Sequence, residues 1–212
     1  MEEIIQRVSM MLVPILFSLT IHELSHGLVA NWLGDNTAKW MGRLTMNPLK
    51  HLDPVGTIMI IFTAISGFGI GWAKPVPVNP ANFNNPKRDM AVVALAGPLS
   101  NILLAIIAAF MMNVDMSFLM NEIRIPVIEM IKFSFLINIG LAVFNLIPVP
   151  PLDGGRILCG ILPKKMAYGF SQIEPYGFII LILLLFTNVI DIVLFPLMKL
   201  LASGIITITK II

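Results

Sequence analysis

The run from Val8 to Leu33 is apolar for long enough to cross a bilayer, yet it holds Ile21-His22-Glu23-Leu24-Ser25-His26-Gly27 at its heart. As a helix it would rise roughly 39 Å, enough to cover a hydrocarbon core of about 30 Å with some tilt. Ionisable side chains inside such a segment are costly and mark function by default. The two histidines stand four apart on one helix face, and the glutamate between them is turned about 100° around the axis. Neutral imidazoles so placed can grip one Zn²⁺, with the glutamate beside an open position where it can take a proton from water. The plainer alternative is a histidine pair hydrogen-bonded inside a helix bundle.

Composition decides the solvent. Of 212 residues, 57% are hydrophobic and 12% charged, and the mean hydropathy is +0.90. Soluble domains carry about 25% charged residues, so this chain is expected to be an integral, multi-pass membrane protein. A net charge of +2 with no basic run argues against nucleic acid. Cys159 stands alone and is read as packing, which excludes a disulfide framework or a thiolate metal cluster. Glu2 and Glu3 lie where a cleavable signal would be basic.

Along the chain, Gly34-Asp35-Asn36 ends the first span. Ala38 to Met46 is short, partly alternating and glycine-interrupted, which predicts a strand or hairpin, a small membrane-associated β element. His51 sits among turn residues, as an alternative metal ligand or a turn-capping or substrate-side group. Val55 to Ile70 is apolar but marginal for crossing, and could be re-entrant. Prolines hold Trp72 to Pro80 extended. Met90 to Met112 and Pro126 to Leu146 are full spans, the first with Asn101 inside it as interhelical glue or part of a site. About Tyr176 to Thr209 reads as two further helices broken near Asn188 to Asp191, a scaffold without evident chemistry. The expected fold is thus an all-α polytopic membrane protein of about five transmembrane helices, a re-entrant segment and the β element.

A catalytic zinc usually takes three protein ligands and a water. Pro148, Pro150 and Pro151 cannot continue a helix, so the backbone opens where the third span ends and presents Asp153 near the membrane interior. Asp153 is the best candidate for the third ligand, although Pro-Pro-Leu-Asp-Gly-Gly is also a plausible interfacial turn. If Val55 to Ile70 crossed the membrane, chain parity would put Asp153 on the opposite face from His26. If it is re-entrant, the loops at 34–54, 71–89 and 151–175 share one face. That face then holds Lys39, Arg43, Lys50, Lys74, Lys87, Arg88, Arg156, Lys164 and Lys165, against Arg124 alone in the loop at 113–125. The positive-inside rule assigns the basic face, and with it the metal site, to the cytoplasm.

With these residues in view, the chain resembles the site-2 protease family of intramembrane zinc metalloproteases, peptidase family M50. The likeness rests on His22-Glu23-Leu24-Ser25-His26, Phe144-Asn145-Leu146-Ile147-Pro148 and Leu152-Asp153-Gly154-Gly155-Arg156, with Gly97-Pro98-Leu99-Ser100-Asn101 and the stretch from Asn47 to Gly56 in support. It implies one Zn²⁺ per chain held by His22, His26 and Asp153, with Glu23 activating water and Asn145 helping to hold the substrate or its oxyanion. No polar tract is long enough for a soluble domain, so a single membrane domain is expected over 1–212, with a catalytic core over about 8–165 and scaffold helices over about 176–209; in lacking a PDZ or CBS domain the chain departs from larger relatives. The substrates would be transmembrane segments of other membrane proteins, cleaved in regulated intramembrane proteolysis. The rival expectation is a membrane zinc carrier or channel, since His, Asp and Asn within a membrane also mark ion paths.

Overall fold

The computed structural model describes residues 2–66, 71–187 and 189–211. Among them, five segments are long and apolar enough to cross a membrane: Met10–Trp32, Pro86–Met112, Asn121–Asn145, Lys164–Leu184 and Ile192–Lys210. The first lies in α1 (Glu2–Trp32), and the next two are α4 (Pro86–Met112) and α5 (Asn121–Asn145). The last is carried by α9 (Val189–Ile211). The chain is an integral, multi-pass membrane protein.

α1, α4 and α5 form the centre, with α9 closing one side. Small residues let them approach. Ala105, Ala108 and Ala109 of α4 pack on Ile131, Phe135, Ile139 and Val143 of α5 and on Ile205 of α9. Without a hydrophobic drive between helices in lipid, this close van der Waals contact and buried polar bonds must hold the bundle together.

The segment from 55 to 70 enters as α3 (Pro54–Ser66); residues 67–70 lie outside the described part. The chain beyond them runs back beside α3, because a Cβ on Gly71 would lie 2.8 Å from the nitrogen of Ile60, and one on Gly56 would lie 2.9 Å from the Trp72 ring. Lys74 N–H donates to the His51 carbonyl at 2.8 Å, and Leu52 and Ala73 form an antiparallel bridge. Entry and exit of this apolar segment therefore stand side by side, as a re-entrant path requires.

Two local expectations fail. Ala38 to Met46 forms no strand: Thr37–Trp40 is a single helical turn (α2), and Gly42 takes the left-handed conformation at φ 63°. Gly42 N–H bonds to the Lys39 carbonyl and Arg43 N–H to the Ala38 carbonyl, so turns consume the groups a strand would have offered a partner. The bridge between Leu52 and Ala73 is the one isolated β pairing among the described residues. The stretch from 151 to 175, read as loop, is mostly two short helices, α6 (Asp153–Ile161) and α7 (Lys164–Ser171), ahead of α8 (Gly177–Phe186). Lys87 of α4 ties α6 down by donating to the Leu162 carbonyl at its end.

Candidate metal centre

Ser18, His22 and His26 follow one another at four-residue spacing along α1, and all three are buried. They face a matching row on α4: Val93, Gly97 and Asn101. Gly97 is where the helices meet. A Cβ there would lie 2.6 Å from both Nε2 and Cε1 of His22, so any side chain would fill the space in front of the imidazoles.

Asp153 reaches the same point from the other end of the fold. Its position at the first residue of α6 depends on the glycines after it: a Cβ on Gly155 would lie 2.9 Å from the Pro150 nitrogen, and one on Gly154 would run into the carbonyls of Leu146 and Ile147. Only hydrogen at these two positions lets α6 start folded back on the chain leaving α5. The Pro150-Pro151 peptide within that turn is cis. Gly177, at the start of α8, lies over Pro150.

The three ligand atoms form a near-equilateral triangle. His22 Nε2 and His26 Nε2 are 3.1 Å apart, and Asp153 Oδ2 lies 3.2 Å from the first and 3.3 Å from the second. A tetrahedral ion with bonds of about 2.0–2.1 Å needs ligand atoms about 3.3–3.4 Å apart. The triangle has the size of one face of such a tetrahedron. Asp153 Oδ2 is buried and receives no hydrogen bond from the protein, an orphan that a cation would satisfy. The donor set of two imidazoles and a carboxylate suits zinc.

Outer partners orient both rings. His26 Nδ1–H donates to the Val93 carbonyl at 2.7 Å, and His22 Nδ1 meets Asn101 Oδ1 at 2.6 Å. Asn101 in turn donates to Asn138 of α5 at 2.8 Å, and Asn138 to Ser18 of α1 at 2.8 Å. Asn101 is thus both helix glue and part of the site. Asn138 and Ser18 belong to no sequence motif, although an amide inside an apolar span is itself a signal that a partner exists.

Glu23 lies off the triangle on the same turn of α1. Its Oε2 accepts from Val76 N–H at 2.9 Å. Asn145 closes α5 and donates one Nδ2–H to the Leu141 carbonyl at 2.9 Å; it is not among the clustered ligand atoms. His51 is buried apart from that cluster, with Nε2 on the Thr45 carbonyl at 2.9 Å, which is a turn-holding role.

Below this centre, Asp35 fixes the chain that carries Val76. It is fully buried and accepts from Asn79 N–H at 2.7 Å, from the Asn82 amide at 2.7 Å, and from both the N–H and hydroxyl of Thr37. Burial alone would raise its pKa, but these hydrogen bonds from Thr37, Asn79 and Asn82 outweigh it and hold the carboxyl below its ordinary 3.8.

A helix-borne His-Glu-x-x-His meeting a distant aspartate among membrane-spanning helices defines a membrane-embedded zinc metalloendopeptidase. Comparison with known proteins agrees: residues 10–187 match the model of Peptidase family M50, and the chain belongs to that family. It is 40% identical over 192 residues to the zinc metalloprotease candidate YwhC of Bacillus subtilis, covering 89% of this chain and 85% of that protein. It is 28% identical over 176 residues to the zinc metalloprotease candidate Rip2 of Mycolicibacterium smegmatis, covering 83% of this chain and 66% of that one. Zinc metalloprotease MJ0392 of Methanocaldococcus jannaschii is 29% identical over 151 residues, covering 71% of this chain and 34% of its own length. No solved structure is a significant match.

Proposed function

We propose that the protein hydrolyses peptide bonds within or near the transmembrane segments of other membrane proteins, at a zinc held by His22, His26 and Asp153. The observation that carries this reading is the triangle of ligand atoms with its orphaned carboxylate oxygen, set on apolar helices. When bound, zinc supplies a Lewis acid that lowers the pKa of its water to about 7.

The chain's own residues do the rest. Glu23, held through Oε2 by Val76 N–H, offers its other oxygen to take the water's proton and to return it to the leaving amine nitrogen. Asn145 keeps one amide hydrogen on the Leu141 carbonyl and offers the other to the developing oxyanion. The helices around the site exclude bulk water, which strengthens each of these polar interactions. A substrate helix must unwind locally before attack, because its carbonyls are bonded within itself. The basic residues Lys39, Lys50, Lys74, Lys87, Arg88, Lys164 and Lys165, which lie between the spans or at their first residues, support a cytoplasmic face for the active site.

The test is a paired assay on detergent-solubilised protein, wild type and Glu23→Gln, reading zinc content and cleavage of a panel of single-span substrates. Zinc near one per chain in both, with cleavage in the wild type alone, is the expected result. Zinc flux into proteoliposomes that survives Glu23→Gln, with no cleavage by either protein, would replace the protease with a carrier.

A further inference from the structure

His22 and His26 have the same task but unlike partners. Nδ1 of His26 faces a backbone carbonyl, which can only accept, so the ring's proton is fixed on Nδ1 and Nε2 is bare. Nδ1 of His22 faces a side-chain amide, which can present either its oxygen or its NH₂ group. With Asn101 turned the wrong way, the NH₂ would meet Nδ1 and the proton would move to Nε2, where the metal belongs. Asp153 Oδ2, 3.2 Å from Nε2, would welcome it there. Something must fix which end of Asn101 is shown.

We propose that Asn138 sets the polarity of a relay, Asn138 to Asn101 to His22, that keeps the His22 proton on Nδ1 and so positions the ring as a metal ligand. The direction is dictated from the far end. Asn138 Nδ2 lies 2.8 Å from the backbone carbonyl of Ser134, one turn earlier on α5. A carbonyl cannot donate, so reversing the Asn138 amide would set oxygen against oxygen at that distance. Asn138 Oδ1 must therefore face α4, where it accepts from Asn101 Nδ2 at 2.8 Å. Asn101 Oδ1 is then left for His22, and the short contact of 2.6 Å is an N–H donating to that oxygen.

Ser18 Oγ takes the second Asn138 hydrogen at 2.8 Å, so the amide group is held from α1 as well as from its own helix. Asn101, Asn138 and Ser18 are fully buried, with no exposed surface. Bulk solvent does not reach them to lend a hydrogen bond of either sense; the Ser18 and Ser134 hydroxyls could serve either end of the Asn138 amide, so the Ser134 carbonyl, which can only accept, is what decides its direction. The three residues come from three different helices. Asn138 and Ser18 are positioning residues: neither is a ligand, and they act on the centre through Asn101 and the His22 ring. Partners of this outer kind typically change metal affinity about 10–100-fold.

The inference rests on the reading of His22 as a zinc ligand, and the experiment separates the two. Zinc affinity is measured by chelator competition for wild type, Asn101→Leu, Asn138→Leu and Asn138→Asp, alongside the melting temperature of each metal-free protein. Asn101→Leu and Asn138→Leu are expected to bind zinc about 10–100-fold more weakly. Asn138→Asp is expected to stay within about threefold of wild type, because a carboxylic acid there can donate to the Ser134 carbonyl and accept from Asn101 as the amide does. A merely structural role would instead make both Asn138 variants follow their loss of melting temperature. Equal weakening by Asp and Leu, or wild-type affinity in Asn138→Leu, overturns the relay.

A measurement on the unaltered chain stands even if the leucine variants fail to fold. The protein has three histidines, so ¹⁵N-histidine labelling gives few signals, and metal-free protein at alkaline pH should show His22 protonated on Nδ1. A proton on Nε2 rules the relay out. Failure of the wild type to bind zinc at all, with Nδ1 protonated, would remove the metal reading and leave the relay standing.

Discussion

Val76 and Glu23, 53 positions apart, are joined by a 2.9 Å hydrogen bond from a backbone N–H to a carboxylate oxygen. The donor belongs to the extended Trp72–Pro80 stretch, and neither Pro75 nor Pro77 on either side could supply it, since proline has no N–H. Val76→Pro removes the one backbone donor there that aims Glu23. We expect zinc content unchanged and the turnover rate of cleavage lowered about tenfold or more, a part of the 10²–10⁴ that a positioned base contributes. An unchanged rate with zinc in place would show that Glu23 needs no such support.

Gly97→Ala adds one methyl group 2.6 Å from His22 Nε2. The imidazoles or α4 must move, so we expect a large loss of bound zinc, measured by elemental analysis, with helical content by circular dichroism retained. Gly204→Ala, where a Cβ meets nothing within 4 Å, is the control that should leave zinc as it is.

Asp35 sets a pH dependence of stability. Its pKa is lower folded than unfolded, so its contribution is present above the unfolded value near 3.8 and fades as pH falls through the lower folded value. Asp35→Asn should lower the melting temperature at pH 7 by several degrees, on the scale of about 2 kcal/mol for hydrogen bonds to a charge. The gap between the two proteins should narrow below about pH 4. A gap independent of pH would mean that shape, not charge, holds the loop.

The placement of the basic loops is tested by labelling. In a Cys159→Ala background, Ser117→Cys in the 113–125 loop and Lys165→Cys at the start of α7 both put a thiol on an exposed position. A membrane-impermeant maleimide applied to intact cells should label the first and spare the second. The reverse pattern would put the active site outside.

Chelation should destabilise the protein. A ligand that binds the folded state alone stabilises it by about 2.7 kcal/mol at 100 times its Kd. Removing zinc should therefore lower the melting temperature of the wild type and leave that of Asp153→Ala nearly unmoved. Equal shifts in both would mean that the chelator acts elsewhere.

How far the sequence could be read varied with the physics. The histidines and Glu23 were legible because helical spacing alone puts them on neighbouring faces. Asp153 was singled out by the prolines that open the backbone before it, and the return of the 55–70 segment followed from requiring one ion to touch both ends of the chain. α6 was hidden because Gly154 and Gly155 look like a turn; they serve close packing against residues 146–150, which only coordinates reveal. The false strand at 38–46 had the right alternation, but local turn bonds won. Asn138 announced that it needed a partner without saying which, since hydrogen-bond pairing between helices has no sequence period.

The ligand triangle draws two corners from α1 and the third from α6, beyond both α4 and α5. A ribosome making this chain releases the His-Glu-x-x-His helix first and the aspartate only after α4 and α5. Until then the nascent polypeptide holds only two of the three groups, and Gly97 of α4, which faces them, is made in between. The three-cornered set is thus completed only after α1, α4 and α5, the helices that pack around it, have all been synthesised.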